Sequence, residues 1–413
     1  MKILFLTHYF YPEVNAPAAR TLEHCRVWVE AGHEVTVVTN VPNHPKGEIY
    51  PGYKNALYQS EVIDGIKVVR LFTWVAPNAG FLKRVVNFLT YMFMAIFAAP
   101  FLPKADVVVS TSPQFFAGLA GYFVKLIKRA RWVLEIRDLW PESAIAVGAI
   151  SNGTLVKATE GLESFMYRKA DAVVSVTDSF VTHIAARGVP ESRIHVIKNG
   201  VDLAFYNPNV PRDEDAVDSR LKGKVVAAYV GTHGMAHALH TILEAAEILK
   251  DRDDIVFLMV GDGAEKKKLV EQRDRMQLDN VIMLDQKPKD AMPSIWAVTD
   301  VSLVLLKNED LFKTVLPSKI VESMAMRRPI VLGVRGEAQA LVESAGAGIC
   351  IEPENAQELA DAVVELADNR DKAELLGTAG RGFVESNFDR RVLALRLENI
   401  LLGLNGEKVD GSE

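Results

Sequence analysis

The chain has 413 residues, 49% of them hydrophobic and 24% charged, a length and balance that exclude a fibrous or disordered protein and point to two large domains. Its 47 Lys and Arg against 53 Asp and Glu leave a formal net charge of −6 and a pI near 5.9, which argues against the basic face of a nucleic-acid binder. Cys25 and Cys350 are the only cysteines; without a CxxC pair they support neither a disulfide framework nor a zinc site, and the chain reads as a protein of a reducing cytoplasm.

Met1–Phe10 offers too short an apolar run for a secretory signal and reads as a buried strand. The apolar run Lys2–Thr7, helical spacing over Thr21–Ala31 and a β-branched run at Glu34–Thr39 give β-α-β, hence a parallel sheet. Next comes Phe88–Leu102, almost wholly apolar, with Lys83 and Arg84 before it and Lys104 after it. It is shorter than the ~20 residues a membrane-spanning helix needs and carries Pro100. Two readings stand for it: a helix lying at a membrane interface, with residues 81–104 as the contact, or a buried helix of the first domain.

Further strands at Asp106–Ser110, Trp132–Ile136 and Ala172–Val176 complete a doubly wound Rossmann-type α/β domain over residues 1–205. Asn207–Arg220, rich in Pro, Asp and Asn, reads as a linker. A second cycle of the same kind follows: strand Val225–Val230, helix Thr241–Lys250, strand Ile255–Val260, then strands at Val281–Leu284, Val301–Leu305 and Pro329–Leu332. The second domain spans 206–385, a helix over 386–402 is expected to return to the first domain, and 403–413 is a polar tail. Two such domains are expected to face a central cleft lined by the carboxyl ends of their strands.

Chemistry is sought at those strand ends. Gly231-Thr232-His233-Gly234 follows a strand and opens a helix, so its backbone N–H groups suit a phosphate; it also suits a plain tight turn. Gly261-Asp262-Gly263 holds the same position one strand over. In Lys313-Thr314-Val315-Leu316-Pro317-Ser318-Lys319-Ile320-Val321-Glu322, a helix starting at Pro317 or Ser318 puts Lys319 and Glu322 three apart on one face, as a cation for phosphate and a carboxylate for ribose, or as a plain surface pair. In the first domain Glu135-Ile136-Arg137-Asp138 ends a strand, with Glu142 close behind. Asp138 is the candidate acceptor-side carboxylate, against the reading of an Arg–Asp pair that only fixes the loop. In the early loop, Asn15 and Arg20 are placed to meet a ligand; Arg20 equally suits an ion pair within its own helix. His233 and His237 flank the glycine turn, and no His, Cys or Asp cluster has metal-ligand spacing.

The ordered motifs Val196-Ile197-Lys198-Asn199-Gly200-Val201-Asp202, Gly261-Asp262-Gly263 and Glu322-Ser323-Met324-Ala325 with Arg328-Pro329-Ile330 resemble the retaining glycosyltransferases of family 4. The branch that includes N-acetyl-L-fucosamine transferases of bacterial O-antigen and capsule synthesis looks similar. The resemblance implies a GT-B fold, a nucleotide-diphospho-sugar bound by the second domain, and transfer with retention and no obligatory metal. UDP is favoured over GDP, and a polyprenyl-diphosphate-linked or other membrane-associated glycan is the acceptor. The family's ribose-binding Glu falls on Glu322, and Lys287 and Pro288 fall within the expected donor site. The first Glu of the family's pair falls on Thr314, its leaving-group Arg and Lys on Thr232 and His237, and its first-domain His on Arg137. Lys319, with Lys313 and the amides of Gly231–Gly234, is then expected to neutralise the departing diphosphate. Together these place the chain in the cytoplasm, peripheral on the inner face of the membrane. Two other readings stand beside this one: an inactive homologue serving as a binding subunit, which the departures favour, and a sugar-nucleotide epimerase of the same fold, against which the apolar run Phe88–Leu102 argues.

Overall fold

Buried β-branched runs alternating with amphipathic helices build two parallel sheets in the computed structural model, which describes residues 1–13, 15–44, 47–75, 81–112, 115–142, 145 and 152–406. The first sheet holds β1 (Lys2–Leu6), β2 (Glu34–Asn40), β3 (Tyr58–Ile63), β4 (Ile66–Leu71), β5 (Val107–Thr111), β6 (Arg131–Ile136), β7 (Ala172–Ser175) and β8 (Ile194–Val196). Their order is β3-β4-β2-β1-β5-β6-β7-β8. Every neighbouring pair is parallel except the β3–β4 hairpin, whose turn residues Asp64 and Gly65 have φ of 51° and 79°. That pair of positive φ values is what an Asp-Gly hairpin turn supplies, and the dipeptide was the available sequence signal for a hairpin that the reading above lacks. Its helices are α1 (Ala16–Glu30), α2 (Phe81–Ala98), α3 (Phe115–Lys128), α4 (Gly153–Lys169) and α5 (Ser179–Ala186).

The second sheet holds β9 (Val225–Val230), β10 (Ile255–Val260), β11 (Val281–Leu284), β12 (Val301–Leu305), β13 (Ile330–Gly333) and β14 (Gly348–Cys350), all parallel, in the order β11-β10-β9-β12-β13-β14. With it go α6 (Glu214–Val217), α7 (His240–Ile248), α8 (Lys266–Met276), α9 (Met292–Val298), α10 (Ser318–Ala325), α11 (Glu337–Ala345), α12 (Ala356–Asp368) and α13 (Arg370–Asn387); α14 (Arg390–Leu404) ends the described chain. Every residue of β9, β10 and β12 is buried, as strands covered by helices on both faces must be. The doubly wound expectation therefore stands for both sheets.

The chain divides into one unit of residues 1–199 with 390 onward, and a second of 200–389. Asn207–Arg220 lies inside the second unit, where Arg212 pairs with Asp300 at 2.8 Å. α14 packs on the first unit: Leu393, Leu397 and Leu401 share a core with Ile3, Trp28 and Val35. The Trp28 indole donates to the Ala394 carbonyl at 3.0 Å, and His33 Nε2 lies 2.7 Å from Glu398. Of the expected tail, 403–404 close α14, and 407–413 lie outside the described residues.

The apolar stretch resolves into α2 and a 3-10 turn at Ala99–Phe101 that divide between the two expectations. Tyr91, Ala95, Ala98 and Ala99 face the core, while Phe93, Phe97 and Phe101 are 51%, 69% and 80% exposed. α3 packs beside α2 and leaves Phe123, Leu126 and Ile127 exposed as well. The Lys128 ammonium donates to the Leu102 carbonyl at 2.5 Å, so the two exposed stripes end together. Among the described residues no helix is long and apolar enough to cross a membrane.

Candidate active site

In an open α/β sheet the ligand crevice lies at the carboxyl ends of the strands where the order reverses. In the second unit that point is between β9 and β12, because the chain builds β9, β10 and β11 outward on one side and returns to start β12 on the other. Three segments meet there: the turn after β9, the turn after β10, and the start of α10.

The glycines are held by close backbone approach. Gly231 N donates to the Val260 carbonyl and His233 N to the Asp262 carbonyl, each at 2.9 Å, lacing the two turns together. A Cβ on Gly261 would stand 1.8 Å from the Gly231 oxygen, and one on Gly263 2.5 Å from the His233 oxygen. Both also have positive φ, 152° and 158°, so a side chain is excluded twice over. A Cβ on Gly231 would come within 3.0 Å of Lys319 Nζ, which shows how near that ammonium lies to the turn.

Lys319 is the central group. Pro317 precedes α10 with φ −62°, and Lys319 follows as its second residue, buried rather than on the surface. Its Nζ sits 3.7 Å from the centre of the Tyr229 ring and has no hydrogen-bond partner among the described residues. Burial lowers its pKa to about 7, with Glu322, three residues on, pulling it back up. Tyr229, absent from the sequence reading, is buried on β9 and donates to the Thr232 carbonyl at 2.8 Å, fixing the turn. His233 is fully buried with both ring nitrogens unpartnered, and His237 Nδ1 is likewise buried and unpartnered among the described residues. Burial, then the neighbouring cations, lowers both histidines to about 4: Lys266 and Lys319 act on His233, and Lys319 and His233 on His237.

Other expected donor residues lie apart from this cluster in character. Lys313 is exposed in a 3-10 turn and its ammonium is matched by Asp310 at 2.5 Å, so it is a surface pair and not a second buried cation. Thr314 and Leu316 are half-buried, Leu316 packing on the core, and Ser318 is exposed at the first turn of α10. Lys287 and Pro288 are exposed in the loop after β11. Asp262 is exposed, and its carboxylate accepts from Gly263 N at 2.7 Å. Lys266 on α8, unremarked in the sequence, donates to the Gly261 and Leu284 carbonyls at 2.8 and 3.0 Å and steadies the second turn.

In the first unit the residues expected to meet an acceptor also make internal bonds. Asn15 caps α1, its side-chain oxygen accepting from Ala18 N at 2.9 Å. Arg20 does not pair within its own helix: it donates to Glu135 at 2.9–3.0 Å and to the Ile197 and Lys198 carbonyls at 2.9 and 2.6 Å. Burial would raise Glu135, yet Arg20, Arg137, His24 and the Thr111 hydroxyl hold it down at about 2. Arg137 Nη1 is buried without a partner among the described residues, and burial, opposed by Glu135, lowers that guanidinium to about 10. Asp138 is half-buried beside it. Glu142 bonds to Arg187 at 2.7 Å. Glu142, Glu163 and His183 do gather within 4.8 Å, a cluster the sequence spacing hid because the three lie on separate segments. Arg187 also reaches Glu163 at 3.1 Å, so both carboxylates are already matched by a fixed cation.

Residues 15–200 match the Glycosyl transferase 4-like domain family, and residues 211–383 match Glycosyl transferases group 1. The chain is 25% identical over 373 residues to the colanic acid biosynthesis glycosyl transferase WcaI of Escherichia coli K12, covering 87% of this chain and 90% of that protein. It is 24% identical to a GDP-mannose-dependent alpha-mannosyltransferase of Mycolicibacterium smegmatis, covering 85% and 84%. In fold it is similar to sucrose-phosphate synthase of Thermosynechococcus elongatus, with a TM-score of 0.74 at 16% identity and coverage of 98% and 99%. Anabaena HepE, solved in complex with UDP, gives 0.70 at 18% with coverage of 98% and 100%. With one domain of each kind in order along the chain, the protein belongs to the GT-B glycosyltransferases.

Proposed function

We propose that this glycosyltransferase moves a sugar, of the N-acetylated hexosamine or deoxyhexosamine class, from a UDP-sugar to a lipid-linked glycan in surface polysaccharide synthesis, retaining the anomeric configuration. The observation that carries the donor half is Lys319: a buried ammonium with no hydrogen-bond partner among the described residues, beside two laced glycine turns at the strand-order reversal. A diphosphate is the anion such a place accepts, held by backbone N–H groups and one enclosed cation. Glu322, one turn along α10, is assigned the ribose hydroxyls, and the exposed Thr232, Lys287 and Pro288 are assigned to the donor as well. WcaI is named for colanic acid synthesis and HepE was solved with UDP, which supports surface polysaccharide and uridine; the mannosyltransferase named for GDP-mannose keeps GDP as the other base to test.

In the transfer, the bond from the sugar C1 to the diphosphate oxygen breaks as the acceptor oxygen bonds to C1 on the same face. The acceptor's proton passes to the departing phosphate oxygen, so no protein nucleophile and no metal is required. Lys319 and the turn amides take up the charge that grows on the diphosphate. On the acceptor side Asp138 and Arg137 are the assigned groups. The paired exposed stripes of α2 and α3 support a peripheral place on the inner face of the cytoplasmic membrane. The stretches 81–104 and 115–131 contain Lys and Arg but no Asp or Glu, the pattern that anionic lipid attracts.

The test is transfer from UDP- and GDP-sugars to polyprenyl-diphosphate glycans in vesicles, without added metal. A lipid-extractable glycoside with the donor's anomeric configuration, formed with release of UDP, is expected. Hydrolysis to free sugar, or inversion at C1, would overturn the reading.

A further inference from the structure

Three nitrogen bases share the carboxyl end of β9, and none of them forms an ion pair among the described residues. Lys319 Nζ touches the Tyr229 ring face at 3.7 Å and lies against the Gly231 backbone. The His233 and His237 rings stand 5.9 and 6.0 Å from the same tyrosine ring, with three buried ring nitrogens unpartnered among the described residues. The charged groups that face them come from every neighbouring element. From the β10 turn, Asp262 faces His233; from α8, Lys266 does so too, already bonded to Asp285 at 2.6 Å. From α10, Glu322 faces Lys319, and from the end of β12 the Leu305 carbonyl faces His237. Asp262 is exposed and bonded to Gly263 N, and Glu322 is only half-buried, so neither carboxylate is enclosed with the bases. A buried ammonium without an enclosed counter-ion gives up its proton readily, and an entering anion reverses that.

We infer that, granted the donor reading above, the nucleoside diphosphate is bound together with a proton: the ligand supplies the anion that Lys319 lacks in the free protein, and Lys319 becomes charged as the diphosphate arrives. His233 and His237 do the same at lower pH. The sign follows from burial, which sets Lys319 near 7 in the free protein, while a diphosphate neighbour returns it toward the ordinary value of about 10.4. Below pH ~7 Lys319 is already charged in the free protein and adds no further pH dependence of its own. Above it, one proton is taken up per ligand, and affinity falls about tenfold per pH unit. The site thus differs from one built on guanidinium, which holds its charge whether or not a ligand is present.

The experiment is calorimetry of the wild-type chain with UDP, and with GDP in parallel, from about pH 7 to 9. There a terminal phosphate, with its second pKa near ~6, is fully ionised. At about pH 8.5 the titration is repeated in two buffers of low and high ionisation enthalpy. The expected result is a heat that differs between buffers by about one proton per UDP, with the dissociation constant rising about tenfold per pH unit. Lys319→Arg, checked for folding by circular dichroism, should bind with no buffer difference and a flat profile. Equal heats in both buffers with a flat wild-type profile overturn the inference and leave the donor site intact. The wild-type slope surviving in Lys319→Arg removes Lys319 from the role. No binding of either diphosphate overturns the donor reading, and this inference with it.

Discussion

At the carboxyl end of β6, Glu135 is buried and every charge it carries is answered: two bonds from Arg20, one from the Thr111 hydroxyl, and Arg20 itself completed by two carbonyls. In the second unit, at the carboxyl side of its sheet, Lys319 is equally buried and unanswered. The two sites cost the fold in opposite senses. A completed buried pair holds the structure because removing one member strands the other. An uncompleted buried cation subtracts from stability and is retained only if something outside the chain completes it.

The comparison breaks most visibly at Glu135. Glu135→Ala leaves Arg20 charged and enclosed, and should cost about 3–5 kcal/mol of stability by chemical denaturation. Because Glu135 is held at about 2, well below the ordinary glutamate value of about 4.5, its contribution is full above pH ~4.5 and is lost as pH falls toward 2. The variant should therefore show a flatter acid-denaturation profile than wild type. A loss no larger than a surface substitution would mean that the pair is not what holds this strand end.

Lys319→Ala sharpens the contrast from the other side. Turnover should fall about 100- to 1,000-fold, the range for removing one stabilising group from a transition-state anion. The melting temperature should hold or rise, since an unpaired buried charge goes with it. A large drop in melting temperature with unchanged donor affinity would make Lys319 a structural residue. The smallest effect belongs to a substitution that should disturb neither site. Phe97→Ser, on a side chain 69% exposed, should leave stability and UDP affinity at wild-type values while weakening flotation with anionic vesicles severalfold. Unchanged flotation would detach that face from lipid.

Much of this was legible in the sequence where a pattern is local. Val225–Val230, Ile255–Val260, Val281–Leu284 and Val301–Leu305 are strands over those same residues, because short, largely apolar runs rich in Val and Ile suit strands buried on both faces. The short β8 and β14, only half-buried along their length, had no such signal. Lys319 was placed near a helix start by Pro317 and Ser318, but its burial was not, since spacing to Glu322 suits a surface pair as well. The roles of Asn15, Arg20 and Glu142 divide by distance. Asn15 caps a residue three positions away, a local signal that was available. Arg20 is completed by groups 115 to 178 positions along the chain, and Glu142 by Arg187, 45 away. No local pattern encodes such partners.

The return of α14 to the first unit has a consequence for how the protein is made. Residues 200–389 form a unit of their own and are complete in the chain before α14 has been synthesised. The first unit must wait, because the indole of Trp28 finds its acceptor at Ala394, and Ile3 and Val35 share a core with Leu393, Leu397 and Leu401. On the ribosome the order of completion is therefore the reverse of the order of translation for the two units. The first sheet is held with one apolar flank uncovered for the whole time the second is being built, which is when a chaperone would find it.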